Sequence, residues 1–141
     1  MAVTTKAAIL ARGLGSRMRR ADAAAQLNDT QSRVADAGMK SMIPIGRPFL
    51  DHVISGLADA GITDVCLVIG PEHDAIRTYY ESLTMHRVHV HFAIQPTPNG
   101  TAGAVAAAEQ FAAGDTILTL NGDNYYSTAA CRMLADRKSV V

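Results

Sequence analysis

The sequence lacks a charge excess of either sign and a long apolar run. Lysine plus arginine number 13, and aspartate plus glutamate also number 13, so the formal net charge is zero. This balance argues against a surface that coats nucleic acid or an anionic membrane. The apolar run from Ala7 to Ala11 is too short for the core of a signal peptide, and no later run approaches the length of a membrane span.

The chain is also poor in cysteine. Its two cysteines, Cys66 and Cys131, show neither C-x-x-C spacing nor a framework of pairs. We interpret them as buried or incidental thiols of a reducing compartment, and we expect a cytoplasmic protein. At 141 residues with 48% hydrophobic content, the chain fits one domain, 1–141, with a core of ordinary size.

Strand-like and helix-like segments alternate along the chain. Apolar patterns predict strands at 6–9, 64–69, 87–94 and 116–120. Helical patterns follow these strands. Two of them have an apolar stripe, formed by Leu50, Val53, Ile54 and Leu57 in one and by Ala104, Val105, Ala108 and Phe111 in the other. The helix between them carries Ile76, Tyr80 and Leu83, and a short last helix carries Met133 and Leu134. The alternation predicts an α/β fold, a three-layer Rossmann-like and mostly parallel sheet with helices on both faces.

A glycine-rich loop follows the first predicted strand and reads Leu10-Ala11-Arg12-Gly13-Leu14-Gly15-Ser16-Arg17-Met18. Two glycines separated by one residue let several backbone N–H groups approach an anion. Ser16 is suited to cap a helix, and Arg17 adds a forked positive charge. The loop is therefore predicted to bind phosphate, with a plain strand-to-helix turn as the alternative.

Two common nucleotide-binding loops do not fit this segment. The dinucleotide pattern G-x-G-x-x-G needs a third glycine where the chain has Met18, and it needs an acidic residue at the end of the second strand, near Ile69, where none stands. The pattern G-x-x-x-x-G-K-[ST] is also absent. A dinucleotide-binding dehydrogenase is therefore the weakest interpretation.

Three segments come directly after predicted strands: the glycine loop, Gln95 with its proline-rich turn, and Asn121-Gly122-Asp123. Ligands of parallel sheets lie beyond the carboxyl ends of the strands, so these segments are expected to converge. Mg²⁺ takes carboxylates, phosphates and waters, which makes Asp123 the candidate ligand, with an ordinary N-G-D turn as the alternative. Lys40 is a candidate for neutralising a triphosphate, or else a solvated loop lysine.

The alternating strand at 87–94 places His89 and His91 on one face. A metal pair is conceivable there, but His86 is out of register and no acidic residue is near in the sequence. Solvated strand histidines are the favoured interpretation.

The chain resembles the sugar-phosphate nucleotidyltransferase (pyrophosphorylase) family, especially its glucose-1-phosphate thymidylyl- and uridylyltransferases. Five motifs in the family's order carry the resemblance: residues 10–17, Lys40 with 43–49, 60–65 (A-G-I-T-D-V), Gln95 with 100–105 (G-T-A-G-A-V), and Gly122-Asp123. The resemblance implies an Mg²⁺-dependent enzyme that transfers a nucleoside monophosphate from a nucleoside triphosphate to a sugar-1-phosphate and releases pyrophosphate. The favoured triphosphates are dTTP and UTP, and neither nucleic acid nor membrane is an expected partner.

The resemblance also implies roles for individual residues. In the opening loop, the nucleoside would be contacted by Leu10, Ala11 and Gly13. The phosphates would be contacted by Gly15, Ser16 and Arg17. Contacts to the base fall to Gln95 and Gly100, with Thr101 nearby. Arg17 and Lys40 are the implied catalytic residues, and Asp123 is the implied magnesium ligand.

The chain departs from the family pattern in places. Arg12 stands where the family often has alanine or glycine, which is tolerable if its side chain points outward. Met39 replaces a common proline, and the interval before Lys40 is long, with 19–38 predicted as a mobile insertion. Family members are longer, so the chain is expected to be the nucleotide-binding half, without the sugar-phosphate lysine and second metal-binding aspartate. The alternative function is a truncated, non-catalytic module that binds nucleotide or self-associates as a homo-oligomer.

Overall fold

The computed structural model describes residues 3–12, 42, 44, 45 and 47–136. In chain order the elements are β1 (Lys6–Leu10), β2 (Pro44–Ile45), β3 (Arg47–Pro48), α1 (Phe49–Asp59), β4 (Asp64–Ile69), α2 (Asp74–Glu81), β5 (His89–Ile94), α3 (Thr101–Ala107), α4 (Glu109–Ala112), β6 (Leu118–Asn121) and α5 (Thr128–Ala135). Four strands form one sheet in the order β5-β4-β1-β6, and every neighbouring pair is parallel. The predicted α/β fold is confirmed.

Strand β1 lies between β4 and β6, so its carboxyl end is central in the sheet. Ala8 is paired with Cys66 on one side and with Thr119 on the other. Pairing of β1 with β6 begins at Ala7 and Leu118, which is why β6 starts two residues later than the sequence predicts. The loop that leaves β1 therefore starts between the ends of two other strands.

Strand β4 is buried from Val65 to Ile69, as expected of an apolar strand covered on both faces. One face packs against α1, α2 and α5, through a core that includes Ile9, Leu57, Leu67 and Ile76. The stripe of α1 is confirmed in full, since all four of its predicted residues are buried. Gly61, with φ of +96°, follows this helix in the left-handed conformation that glycine tolerates.

The opposite face of the sheet is covered by α3. Ala104 and Ala108 pack against Ala8 and Val68, and these small side chains allow the helix to approach the strands closely. Helices on both faces are thus confirmed. The predicted single helix is divided at Ala108, whose N–H bonds to Val105 O, three residues back, at 3.0 Å and tightens the turn.

The last predicted helix is present as α5, but its two large apolar residues do not face the core. Met133 and Leu134 of α5 are 57% and 40% exposed, whereas Cys131 and Ala135 are buried. Residues four apart lie on the same side of a helix, and it is the side with Cys131 and Ala135 that faces the core. Leu83 was predicted to lie on the second helix, but it lies beyond the end of α2 and is 41% exposed.

Both cysteines are free and buried, as expected. Burial raises the pKa of the Cys66 thiol to about 11, because the charged thiolate is disfavoured in the core. In the part of the chain that the structure describes, none of the helices has the length and apolar character needed to cross a membrane.

Candidate functional site

Three hydrogen bonds hold the starts of three loops together at the carboxyl edge of the sheet. Ala11 N–H donates to Val68 O at 2.9 Å, Gln95 N–H to Ile69 O at 2.8 Å, and Gly122 N–H to Leu10 O at 3.0 Å. In each case the donor lies just beyond its own strand, and the acceptor lies near the end of the neighbouring strand. The loops after β1, β5 and β6 therefore leave the sheet from one continuous edge.

Leu10 and Ala11, the first residues assigned to the nucleoside, are part of this edge. Leu10 is partly buried and Ala11 is only 7% exposed. The N–H of Ala11 is already used by Val68, and the carbonyl of Leu10 already accepts from Gly122. These two backbone groups therefore position the loop, and contacts of Ala11 with a ligand would use other atoms.

Gln95 holds the turn that follows β5. Its side chain is buried, and its Nε2 donates to Asn99 Oδ1 at 2.7 Å and to Gly100 O at 3.2 Å. Gly100 has φ of +93°, a conformation that side-chain-bearing residues rarely adopt. The amide nitrogen of Gln95 thus supports the turn, and its amide oxygen is the side-chain atom not used by these two bonds.

The start of α3 completes this side of the edge. Thr101 is exposed at the first position of the helix. A Cβ atom at Gly103 would lie 1.9 Å from Asn99 Oδ1, so the absence of a side chain lets the Asn99 amide lie against the helix. The packing of Asn99 on Gly103 places Oδ1 within reach of Gln95.

Asp123 lies in the exposed turn after β6, on the other side of β1. Tyr126 braces this turn, because its hydroxyl oxygen accepts from Asn121 N–H at 3.3 Å and from Asn124 Nδ2 at 3.4 Å. Within the described ranges there is no group of three or more His, Cys, Asp or Glu side chains arranged to hold a metal. Sequence reasoning missed Tyr126, for which an aromatic residue with a polar tip just after N-G-D was the available signal.

Arg12 does not point outward, contrary to the expectation. Its side chain is only 7% exposed, and its Nη2 lies 3.4 Å from Glu72 Oε1. The Glu72 carboxylate lies over Gly70, where a Cβ atom would be 2.6 Å from Oε1. His73 Nδ1 accepts from Gly70 N–H at 3.3 Å, and its Nε2 lies 3.8 Å from Glu72 Oε1. Nothing in the sequence pairs Arg12 with the residues after β4; only the parallel pairing of β1 and β4 does so.

The two strand histidines lie at the opposite edge of the sheet, around the start of β5. His91 Nε2 is 3.1 Å from Asp64 Oδ1, so an acidic partner exists that the sequence did not indicate. Burial raises the pKa of Asp64, and hydrogen bonds from His91 and Thr63 lower it, with a net value below the usual one. The described residues provide no third ligand, and this pair is remote from the carboxyl edge.

The remaining predicted site residues lie outside the described residues. They are Gly13, Gly15, Ser16, Arg17 and Lys40, together with the segment 19–38 predicted as an insertion. Their roles stay predictions.

Comparison with known proteins identifies the fold and the family. Residues 34–139 match the Nucleotidyl transferase family. The chain is 30% identical over 122 residues to the D-glycero-alpha-D-manno-heptose 1-phosphate guanylyltransferase of Aneurinibacillus thermoaerophilus, covering 86% of this chain and 47% of that protein.

Solved structures with the same fold include HddC from Yersinia pseudotuberculosis complexed with GMP-PN, with a TM-score of 0.66 and 26% identity over 86% of this chain and 49% of HddC. A UDP-glucose pyrophosphorylase complexed with UDP-glucose superimposes with a TM-score of 0.71 at 13% identity, over 94% of this chain and 52% of that structure. The chain thus spans about half the length of these relatives. It belongs to the nucleotidyl transferase family, whose homologues here are sugar-phosphate nucleotidyltransferases, and it has the α/β fold of the nucleotide-diphospho-sugar transferases.

Proposed function

We propose that this chain supplies the nucleotide-binding part of an enzyme that transfers a nucleoside monophosphate to a sugar-1-phosphate. The observation that carries the proposal is the convergence of the loops after β1, β5 and β6 at one edge, held by the three backbone hydrogen bonds. Membership of the nucleotidyl transferase family supports the reaction class.

The reaction is a substitution at the α-phosphorus of a nucleoside triphosphate. A phosphate oxygen of the sugar-1-phosphate forms the new bond to the α-phosphorus. The bond from the α-phosphorus to the bridging oxygen breaks, and pyrophosphate leaves with that electron pair. Such a step needs positioning and stabilisation of charge more than covalent help from the protein.

The topology suggests which part of the nucleotide lies at which end of the edge. Gln95, Gly100 and Thr101 lie at the β5 end of the sheet, and Asp123 lies at the β6 end, with the loop from β1 between them. A nucleotide with its base towards Gln95 and its phosphates towards Asp123 would cross the start of the glycine loop. Arg17 and Lys40 would then act on the phosphates as the catalytic cations, a role that rests on the motif resemblance.

The residues at the β6 end fit Mg²⁺. Asp123 offers an exposed carboxylate at the edge, and magnesium is commonly held by one or two carboxylates plus substrate phosphates and waters. Bound there, the ion would neutralise negative charge on the phosphates. Asp123 would hold the ion, and the Tyr126 hydroxyl would hold the backbone of the turn that carries it.

The substrates proposed are a sugar-1-phosphate and a nucleoside triphosphate. The motifs favour dTTP or UTP, and the name of the heptose 1-phosphate guanylyltransferase adds GTP. We further propose that the protein works in the cytoplasm. Self-association of the chain is part of the alternative proposal, a non-catalytic module.

The test is calorimetric titration of dTTP, UTP, GTP, CTP and ATP into the 141-residue chain, with and without Mg²⁺. Asp123→Asn is expected to abolish the strengthening of binding by magnesium. Asp115→Asn is the matched control, since it removes an exposed carboxylate just before β6, at the opposite edge, where Asp115 pairs with Lys6.

A folded chain that binds none of the triphosphates would contradict the proposed function. Equal magnesium dependence in both variants would contradict the assignment of Asp123. Pyrophosphate release on addition of sugar-1-phosphates, measured in the same samples, distinguishes an enzyme from a module that only binds nucleotide.

A further inference from the structure

Arg12 carries hydrogen-bond donors that are buried without a partner. Its Nε and Nη1 atoms are shielded from solvent, and no hydrogen-bond acceptor for either is found among the residues that the structure describes. These two nitrogens carry three of the five N–H groups of the guanidinium. Buried donors without acceptors are costly, so such a group in a native fold requires an explanation.

The position of Arg12 indicates which part of a nucleotide lies near it. Arg12 follows Ala11, whose N–H bonds to β4, and its Nη2 lies 3.4 Å from Glu72 Oε1 in the loop after β4. Because β4 lies between β1 and β5, this pair is on the Gln95 side of the edge. Asp123 and the proposed magnesium site are on the other side of β1.

The charge of Glu72 indicates the kind of group that the pair accepts. A phosphate against Arg12 would also face the Glu72 carboxylate, and the two negative charges would repel each other. A neutral group with a carbonyl beside an N–H has no such penalty. The carbonyl would accept from Arg12, and the N–H would donate to Glu72.

Gly70 and His73 both lie beside the Glu72 carboxylate. The carboxylate lies over Gly70, where a Cβ atom would be 2.6 Å from Oε1. His73, buried beside it, accepts from Gly70 N–H through Nδ1, which leaves Nε2 as the protonated nitrogen, 3.8 Å from Glu72 Oε1. Glu72 therefore lies between two nitrogen groups at the end of β4.

We infer that Arg12 and Glu72 form a base-selecting pair that favours nucleotides whose base presents a carbonyl next to a ring N–H, and this inference rests on the proposed function. Guanine, uracil and thymine present that edge, whereas adenine and cytosine present an amino group next to a ring nitrogen that accepts. With adenine or cytosine, the amino group would face the N–H donors of Arg12, and the ring nitrogen that accepts would face the carboxylate of Glu72, so neither hydrogen bond could form.

The experiment uses ligand pairs that differ only at this edge. The dissociation constants of ITP and ATP, and of UTP and CTP, are measured with Mg²⁺ for the unmodified 141-residue chain and for Arg12→Met, Arg12→Lys and Glu72→Gln. Arg77→Met is the matched control, because Arg77 forms an exposed pair with Glu81 on α2 at 3.1 Å, away from the edge.

The unmodified chain is expected to bind ITP and UTP roughly tenfold or more tightly than ATP and CTP, as follows from leaving buried polar groups unpaired with the wrong base. Arg12→Met and Glu72→Gln should bring both ratios towards one, and Arg77→Met should leave them unchanged. If Arg12→Met does not fold, the same two ratios of dissociation constants are measured for Arg12→Lys and Glu72→Gln.

Three results would overturn the inference. One is binding without preference by the unmodified chain. Another is a variant that weakens all four ligands equally, which would show that the pair only supports the fold or the phosphates. The third is an unchanged ratio in Glu72→Gln together with either Arg12 variant. A chain that binds no triphosphate would instead contradict the proposed function itself.

Discussion

Replacement of Gln95 by methionine, studied without nucleotide, tests the support that this side chain gives to the turn after β5. Methionine has a similar length and keeps the buried apolar part of the side chain, but it removes both donations from Nε2. Those donations reach Asn99 Oδ1 at 2.7 Å and Gly100 O at 3.2 Å. The change therefore tests the internal hydrogen bonds of the turn with little change of volume.

The expected loss in free energy of unfolding is about 1 to 2 kcal/mol. Each hydrogen bond contributes about 0.5 to 1.5 kcal/mol net. The two acceptors lie on exposed residues, so water replaces part of the lost interaction, and the total falls below the sum of two full contributions. Urea unfolding of the 141-residue chain, followed by circular dichroism, measures the difference.

Gln110→Met serves as the matched control, because Gln110 is exposed on α4. Its effect should stay within about 0.5 kcal/mol, as for most surface substitutions. Asn99→Ala removes one of the acceptors, and the double variant with Gln95→Met should show a coupling of at least about 0.5 kcal/mol. Additive effects, or a Gln95→Met variant as stable as the control, would refute the support of the turn by Gln95.

Two further predictions concern the packing of glycine and the response to alkaline pH. Gly103→Ala should be about 1 kcal/mol less stable in thermal unfolding than Gly56→Ala. Both variants gain helix propensity, but only the new methyl group at position 103 displaces Asn99, since the nearest atom to a Cβ at Gly56 is 3.9 Å away. Equal changes in the two variants would contradict this account. Tyr79 and Tyr80 both donate to Asp51 at 2.6 Å, and burial followed by the Asp51 hydrogen bond raises the pKa of Tyr79 to about 12 and that of Tyr80 further. The folded state holds these protons more tightly than the unfolded state, so the stability contributed by the two tyrosines is complete below pH 10 and is lost as the pH rises towards 12. Asp51→Ala should therefore weaken the loss of stability at alkaline pH. A pH profile of stability identical to that of the unmodified chain would count against this account.

The sequence by itself determined the layers of the fold. The stripe of α1 shows the helical period, and the uninterrupted apolar run of β4 indicates a strand covered on both faces; both are found as predicted. These signals are local, because periodicity within one segment states which of its residues are buried. The order of the motifs along the chain identified the family for the same reason, since it needs no knowledge of contacts.

Pairing between distant segments was decided only by the tertiary structure. Arg12 meets Glu72 because β1 lies beside β4, and no local pattern links two residues sixty positions apart. Met133 and Leu134 are exposed because α5 is oriented with Cys131 and Ala135 towards the core, although Met133 and Leu134 have the larger apolar side chains. Gln95 was predicted at the edge from its place after a strand, but the use of its Nε2 within the turn depends on the approach of Asn99 to Gly103. Composition and periodicity specify which segments form strands and helices, whereas the partner of each polar group depends on how those segments pack.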